Sequence, residues 1–321
     1  MQQARSMESA GAASLALETL PPPVAGSRRV IADIRSGPIA FYGGGEPVSG
    51  TQPPLLLVHS VNAAATAYEM RPLFDHYLGK RPVYALDLPG FGLSDRSDRK
   101  YTPRLMTDAV LAAIGDIQSR HDNAAVDVVA LSLGCEFAAR AATEAPNAIR
   151  TVALISPTGF DRRAERAAQV SSPGRTLAMP WLHVFLSFPL WKRGFFSALT
   201  SRASIRFFLQ KTWGAKDIDE GLLEYDYLTT HQPGAENAPY YFVSGYLFST
   251  DAMTLYRNLS MPVWMSHGVR GDFVDYEQKR TVQRLPNWSF DVFQTGAMPH
   301  FEKPAEFVSQ YEVFLSCVTS T

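Results

Sequence analysis

Eight short apolar runs, separated mostly by stretches of helical period, constrain this chain more than any other feature. They are RRVIADI (28–34), PIAFYG (38–43), PLLLVHS (54–60), PVYALDL (82–88), VDVVALS (126–132), IRTVALIS (149–156), PVWMSHG (262–268) and WSFDVFQ (288–294). Several are continuous rather than alternating, the pattern of strands buried on both faces of a parallel sheet. Helix-period stretches cover 66–78, 103–120, 133–145, 276–285 and 304–317. This alternation predicts an α/β fold: a mostly parallel central sheet flanked by helices.

The alternation stops between residues 160 and 250, where the chain turns helical, aromatic and rich in Pro and Gly breaks. We expect an inserted helical cap over 160–250, a core made of 30–159 and 251–321, and a flexible leader over 1–29, which is rich in Ala, Ser and Pro. With 321 residues, 46% of them apolar, the chain can bury one large core. A formal charge of -1 provides no global basic field, which argues against a nucleic-acid partner. The two cysteines, Cys135 and Cys317, have neither disulfide nor zinc-ligand spacing, and no metal site is expected. No apolar run reaches the length of a membrane span, so a cytoplasmic protein is expected.

The segment VDVVALSLGCEFAARAA (126–142) passes from a buried strand to an alanine-rich helix with Ser132 at the junction. In an open α/β sheet, ligands bind at the carboxyl ends of the strands. A nucleophile on so tight a turn needs small residues two positions either side, here Ala130 and Gly134. The helix starting near Leu133 directs its amides back toward the hydroxyl, favouring negative charge there. The alternative is that Ser132 is only a helix N-cap.

A serine hydroxyl is a weak nucleophile until a base takes its proton. Downstream, HGVRGDFVDY places Asp272 in a loop just past a strand, and TGAMPHFEKPAEF places His300 before a helix that Pro304 can start. Asp161 and Asp275 are alternatives to Asp272. In the order Ser132, Asp272, His300, the imidazole would take the serine proton and the carboxylate would hold the imidazole.

Together with DLPGFGLSDR at 87–96, these blocks resemble the α/β-hydrolase superfamily over roughly residues 30–317. The resemblance implies an α/β-hydrolase fold with no cofactor, and an oxyanion hole from the Leu133 amide and one in the loop VHSVNAAATAY. Where the family usually has His-Gly, this chain has His59-Ser60, so the second donor is expected at Val61, with Asn62 as a further donor or substrate contact. The implied activity is that of a serine hydrolase cleaving an ester or related acyl bond through an acyl-enzyme. Carbon–carbon bond hydrolysis, peracid formation and non-enzymatic binding of an apolar ligand are alternatives.

His59 and His267 are expected to pack or orient, Asp87 to brace its loop, and Glu136 with Arg140 to form a surface helix pair. Residues 181–248 hold sixteen of the 37 aromatics. Trp181, Val184, Phe185 and Phe188 share a helical face that would seal the cap onto the sheet or line an acyl pocket, making Phe185 and Phe188 candidate substrate contacts. Residues 160–216 carry ten Lys or Arg against Asp161 and Glu165, a mixture that also suits peripheral membrane contact through the cap.

Overall fold

The computed structural model describes residues 20–33, 35–44, 52–161, 174–271 and 275–319. All eight apolar runs form strands: β1 (Ser27–Asp33), β2 (Gly37–Gly44), β3 (Leu55–Val58), β4 (Val83–Leu86), β5 (Val126–Leu131), β6 (Ile149–Ile155), β7 (Val263–Gly268) and β8 (Trp288–Phe293). They make one sheet in the order β1-β2-β4-β3-β5-β6-β7-β8. β2 is antiparallel to β1 and β4; every other pairing is parallel.

Successive side chains of a strand point to opposite faces, and here both faces are covered. Val128 and Ala130 of β5 pack with α2 (Pro103–Arg120) and α3 (Gly134–Glu144). Val129 and Leu131 lie in the other layer with α1 (Arg71–Tyr77) and α11 (Pro304–Thr319), the last helix of the described chain. That arrangement explains why β3, β4, β5 and β7 are buried along their whole length, and why β3 and β4 read as unbroken apolar runs.

Sequence and structure differ in several places. Residues 20–29 are not a detached leader: Leu20 and Val24 are buried in the core, and β1 already begins at Ser27. Residues 276–285 form only a 3-10 turn, Glu277–Thr281, in which the Gln278 amide donates to the carbonyl of Phe160 and the Lys279 and Val282 amides close i to i+3 bonds. Glu136 and Arg140 are no surface pair. The Glu136 carboxylate is buried and accepts from the Ser249 amide (2.9 Å) and the Thr158 hydroxyl (2.6 Å), while Arg140 pairs with Asp251 at 2.7 Å.

The insertion contains α4 (Pro180–Leu186), α5 (Lys192–Leu199), α6 (Arg202–Trp213), α7 (Glu220–Thr230) and α8 (Asn237–Val243), after which α9 (Ala252–Arg257) leads back to β7. Arg96 fastens α7 to the core. Its buried guanidinium donates to the Thr229 carbonyl (2.8 Å) and hydroxyl (2.6 Å) and to the Gly92 carbonyl.

Candidate active site

Ser132 sits at the carboxyl end of β5 with φ +52°, a left-handed backbone that side chains rarely adopt. The turn is held from both sides: the Ser132 amide donates to the Ile155 carbonyl (2.8 Å), and its carbonyl accepts from the Cys135 amide (3.1 Å). Gly134 is required by proximity. A Cβ there would lie 2.3 Å from the His59 carbonyl oxygen, so the elbow and the loop after β3 touch. Ser132 is no N-cap, since α3 begins at Gly134 after Leu133, without a side-chain cap bond.

The amides of Leu133 and Val61 donate to no acceptor among the described residues. The Ser60 amide is committed to Glu69 Oε2 (2.8 Å) and its hydroxyl to Oε1 (2.9 Å), which gives the serine that stands in place of glycine a structural role. Asn62 is not a free donor. Its Nδ2 donates to Glu69 Oε1 (2.8 Å) and Ser60 Oγ (3.0 Å), and its Oδ1 accepts from the Ala64 amide (2.7 Å). Asn62 therefore shapes the loop rather than offering its amide to a substrate.

His300 is fully buried in α10 (Pro299–Glu302), and it shares no hydrogen bond with Ser132. Its Nε2 lies 2.8 Å from the carbonyl oxygen of Glu69. A carbonyl only accepts, so Nε2 carries the proton and the lone pair is on Nδ1, which has no partner among the described residues. Burial lowers the ring's pKa to about 4, keeping it neutral at pH 7. The other histidines at strand ends are fully committed. His59 Nε2 accepts from the Leu88 amide and Nδ1 donates to the Ser60 carbonyl, while His267 bonds the Gly268 carbonyl and the Lys279 ammonium. Asp272 lies outside the described residues.

Glu69 is the site residue that sequence reasoning missed. It lies in a 3-10 turn, Ala67–Met70, whose AYEM sequence contains nothing that marks the carboxylate as inward-facing. Burial pushes the carboxyl up to about 7, against hydrogen bonds from Ser60 and Asn62. Asp226 of α7, also buried, is raised by burial first and by Glu69 second, and its Oδ1 has no partner among the described residues. Asp87 accepts from the Ala67 and Leu93 amides and from the Tyr42 hydroxyl, bracing its loop as expected.

Phe185 and Phe188 are 54% and 46% exposed, so they neither seal the cap onto the sheet nor line an enclosed acyl pocket. Phe188 also falls beyond the end of α4.

A strand order of 1-2-4-3-5-6-7-8, a left-handed serine after β5 and a helical insertion after β6 define an α/β-hydrolase architecture. The profile of the Alpha/beta hydrolase family matches residues 55–310, and the chain belongs to that family. Among solved structures, a probable hydrolytic enzyme from Pseudomonas aeruginosa superposes with a TM-score of 0.67 at 18% identity, over 91% of this chain and 95% of that one. A membrane phospholipase A described as a bacterial virulence factor superposes with a TM-score of 0.66 at 20% identity, over 99% and 93%. At these identities the likeness is one of fold. A dihydrolipoyllysine-residue acetyltransferase component of an acetoin cleaving system, from Cupriavidus necator, is 35% identical over 96 residues. That stretch is 29% of this chain and 23% of that protein's length.

Proposed function

We propose that the protein is a serine hydrolase that cleaves an ester or related acyl bond of a small lipophilic molecule through an acyl-enzyme on Ser132. The observation that carries this reading is the strained serine at the end of β5, beside two amides without acceptors. Ser132 Oγ attacks the acyl carbon while the Leu133 and Val61 amides take the developing oxyanion. His300 accepts the serine proton on Nε2 once that nitrogen has left the Glu69 carbonyl and the ring's own proton resides on Nδ1, then returns it to the leaving group and activates water. Asp272 is the acid of this scheme. Glu69, its pKa near neutrality, and Asp226, raised in the same direction, carry less negative charge at pH 7 than exposed carboxyls, which suits an apolar substrate.

The lipophilic substrate and the exposed apolar cap belong to one reading, in which the protein meets its substrate at a membrane surface. The free thiols of Cys135 and Cys317 fit a cytoplasmic setting. A second reading, a non-enzymatic binder of an apolar ligand, is favoured by one observation: His300 is bonded to Glu69 and not to Ser132.

Labelling with a fluorophosphonate, with the adduct mapped by mass spectrometry, separates the two. A hydrolase is labelled at Ser132, and His300→Gln, which keeps a donor for the Glu69 carbonyl, loses at least a hundredfold in kcat with its Tm nearly unchanged. An unlabelled Ser132 in folded protein, together with no turnover of acyl esters, would establish the binder.

A further inference from the structure

The two cap helices α4 and α5 are apolar on both sides. Inward, Leu186 and Phe196 are buried in a satellite core with Ala235 and Tyr240, with Leu182 packed against it. Outward, Trp181 (70% exposed), Phe185, Phe188, Leu190 (82%), Trp191 and Phe195 face solvent within fifteen residues of chain. A helix on a globular surface ordinarily presents polar residues opposite its core stripe, so a cluster of exposed aromatics there marks a surface that meets something apolar.

The rings of this face pack on one another. Trp191 lies 4.6 Å from Phe188 and 5.3 Å from Phe185, and its indole N–H donates to the Phe185 carbonyl at 2.9 Å. Trp191 therefore presents carbon outward with its indole N–H already satisfied.

The charge is one-sided. From Gly174 to Lys216 the chain has seven Lys or Arg and no Asp or Glu. Some of these cations are paired from neighbouring elements, Arg202 with Glu224, Arg206 with Glu220, and Lys192 with Glu236. Arg193 follows the aromatic cluster, with its side chain 91% exposed and Glu236 only at 3.9 Å. Among the described residues no helix is long and apolar enough to cross a membrane.

We propose that the outer face of α4, α5 and the turn between them is a monotopic anchor that seats the cap among the headgroups and upper acyl chains of an anionic phospholipid bilayer. This deepens the membrane reading given above by naming the face and the lipid charge it selects. Aromatic and leucine side chains supply most of the binding by leaving water, and Arg193 and its neighbours add a preference for anionic headgroups.

The test uses the full-length chain carrying Ser132→Ala, so that binding is read independently of turnover, with vesicles of phosphatidylcholine alone or with 30% phosphatidylglycerol. Sedimentation should show binding to both, at least fivefold tighter with phosphatidylglycerol. Trp181→Ser with Leu190→Ser should weaken binding at least tenfold on both vesicles, and Arg193→Glu should remove most of the phosphatidylglycerol preference. Trp213, Trp264 and Trp288 are buried, so quenching by brominated lipid reports on Trp181 and Trp191.

No sedimentation with either vesicle overturns the proposal, as does binding that the Ser double variant leaves intact. Self-association that the double variant abolishes, without lipid binding, would assign the face to a second copy of the chain and overturn it as well. A protein that binds vesicles but turns over no ester keeps the anchor while the hydrolase reading falls; an active enzyme that ignores vesicles does the reverse.

Discussion

Replacing Ser132 by Gly should stabilise the protein relative to Ser132→Ala, although on the proposed mechanism both variants should be inactive. Ordinarily a Gly costs about 0.5–1 kcal/mol against Ala, because its unfolded chain has more freedom to lose. At φ +52° the order reverses. An L residue in the left-handed region costs about 1–2 kcal/mol and Gly almost none, so the net gain of Gly over Ala is about 0–1.5 kcal/mol. The Ser132 hydroxyl has no hydrogen-bond partner among the described residues, so its loss is common to both variants and small. With roughly 2 cal/mol/K of unfolding entropy per residue, 1 kcal/mol corresponds to about 1.5 °C in Tm for a chain of this length. That is small enough to call for urea denaturation as the primary assay. Ser119, exposed in α2, is the control, where Gly should be the less stable by the ordinary amount. If Ser132→Gly is less stable than Ser132→Ala by 0.5 kcal/mol or more, the elbow is not strained and the argument for a functional serine loses its structural basis.

Two further predictions concern buried charge. Burial raises Glu136 from about 4.5 to about 7, so the stability it contributes is fully present below pH 4.5 and is lost as pH rises through 7. Glu136→Gln should therefore gain on the wild type between pH 4.5 and 7.5, by up to about 3 kcal/mol; a difference constant with pH would refute the shift. At the opposite end of β5, buried Asp127 accepts from Arg81 (2.5 Å), Arg150 (2.6 and 2.8 Å) and Thr151 (2.6 Å). Asp127→Asn leaves the Arg81 guanidinium buried without a counter-charge and should cost about 3–5 kcal/mol by denaturant midpoint, whereas Arg81→Met with Asp127→Leu should recover most of it. A single-variant loss below 1 kcal/mol would show that the cluster is wetter than its geometry implies.

The sheet was legible because its strands carry their environment in their composition. Apart from Asp127, Val126 to Leu131 has apolar residues on both faces, and only a strand covered by two helical layers needs that. α2 was legible to the residue, since Thr102 accepts from the Leu105 amide and Pro103 fits the first turn, where no donor is lost. Segment 276–285 was not, because its chain closes i to i+3 bonds and nothing in the local sequence distinguishes them from the i to i+4 bonds of a helix. Glu136 and Arg140 have the spacing of a helix pair, and nothing local announces that Ser249 and Asp251 take them instead. The cap aromatics marked an unusual surface, but hydrophobicity alone does not separate an inward Phe196 from an outward Phe195.

At the candidate site, the position of Ser132 could be read from its small neighbours, whereas the hydrogen bonds of His300 could not. Those bonds pass through Glu69, whose carboxylate holds Ser60 and Asn62 of the oxyanion loop while its carbonyl takes the imidazole. Loop and histidine are thus tied to one short turn, and that turn lies under the cap, with Tyr68 stacked on Tyr225 of α7 at 4.8 Å. For Nε2 to take the serine proton, the Glu69 carbonyl has to lose a buried donor, at about 1–3 kcal/mol. Without compensation that slows turnover by roughly one to two powers of ten. On the hydrolase reading, a shift of α7 that offers the carbonyl another donor would remove the penalty, so substitutions at Tyr225 that disturb its stacking on Tyr68 should change kcat as well as stability.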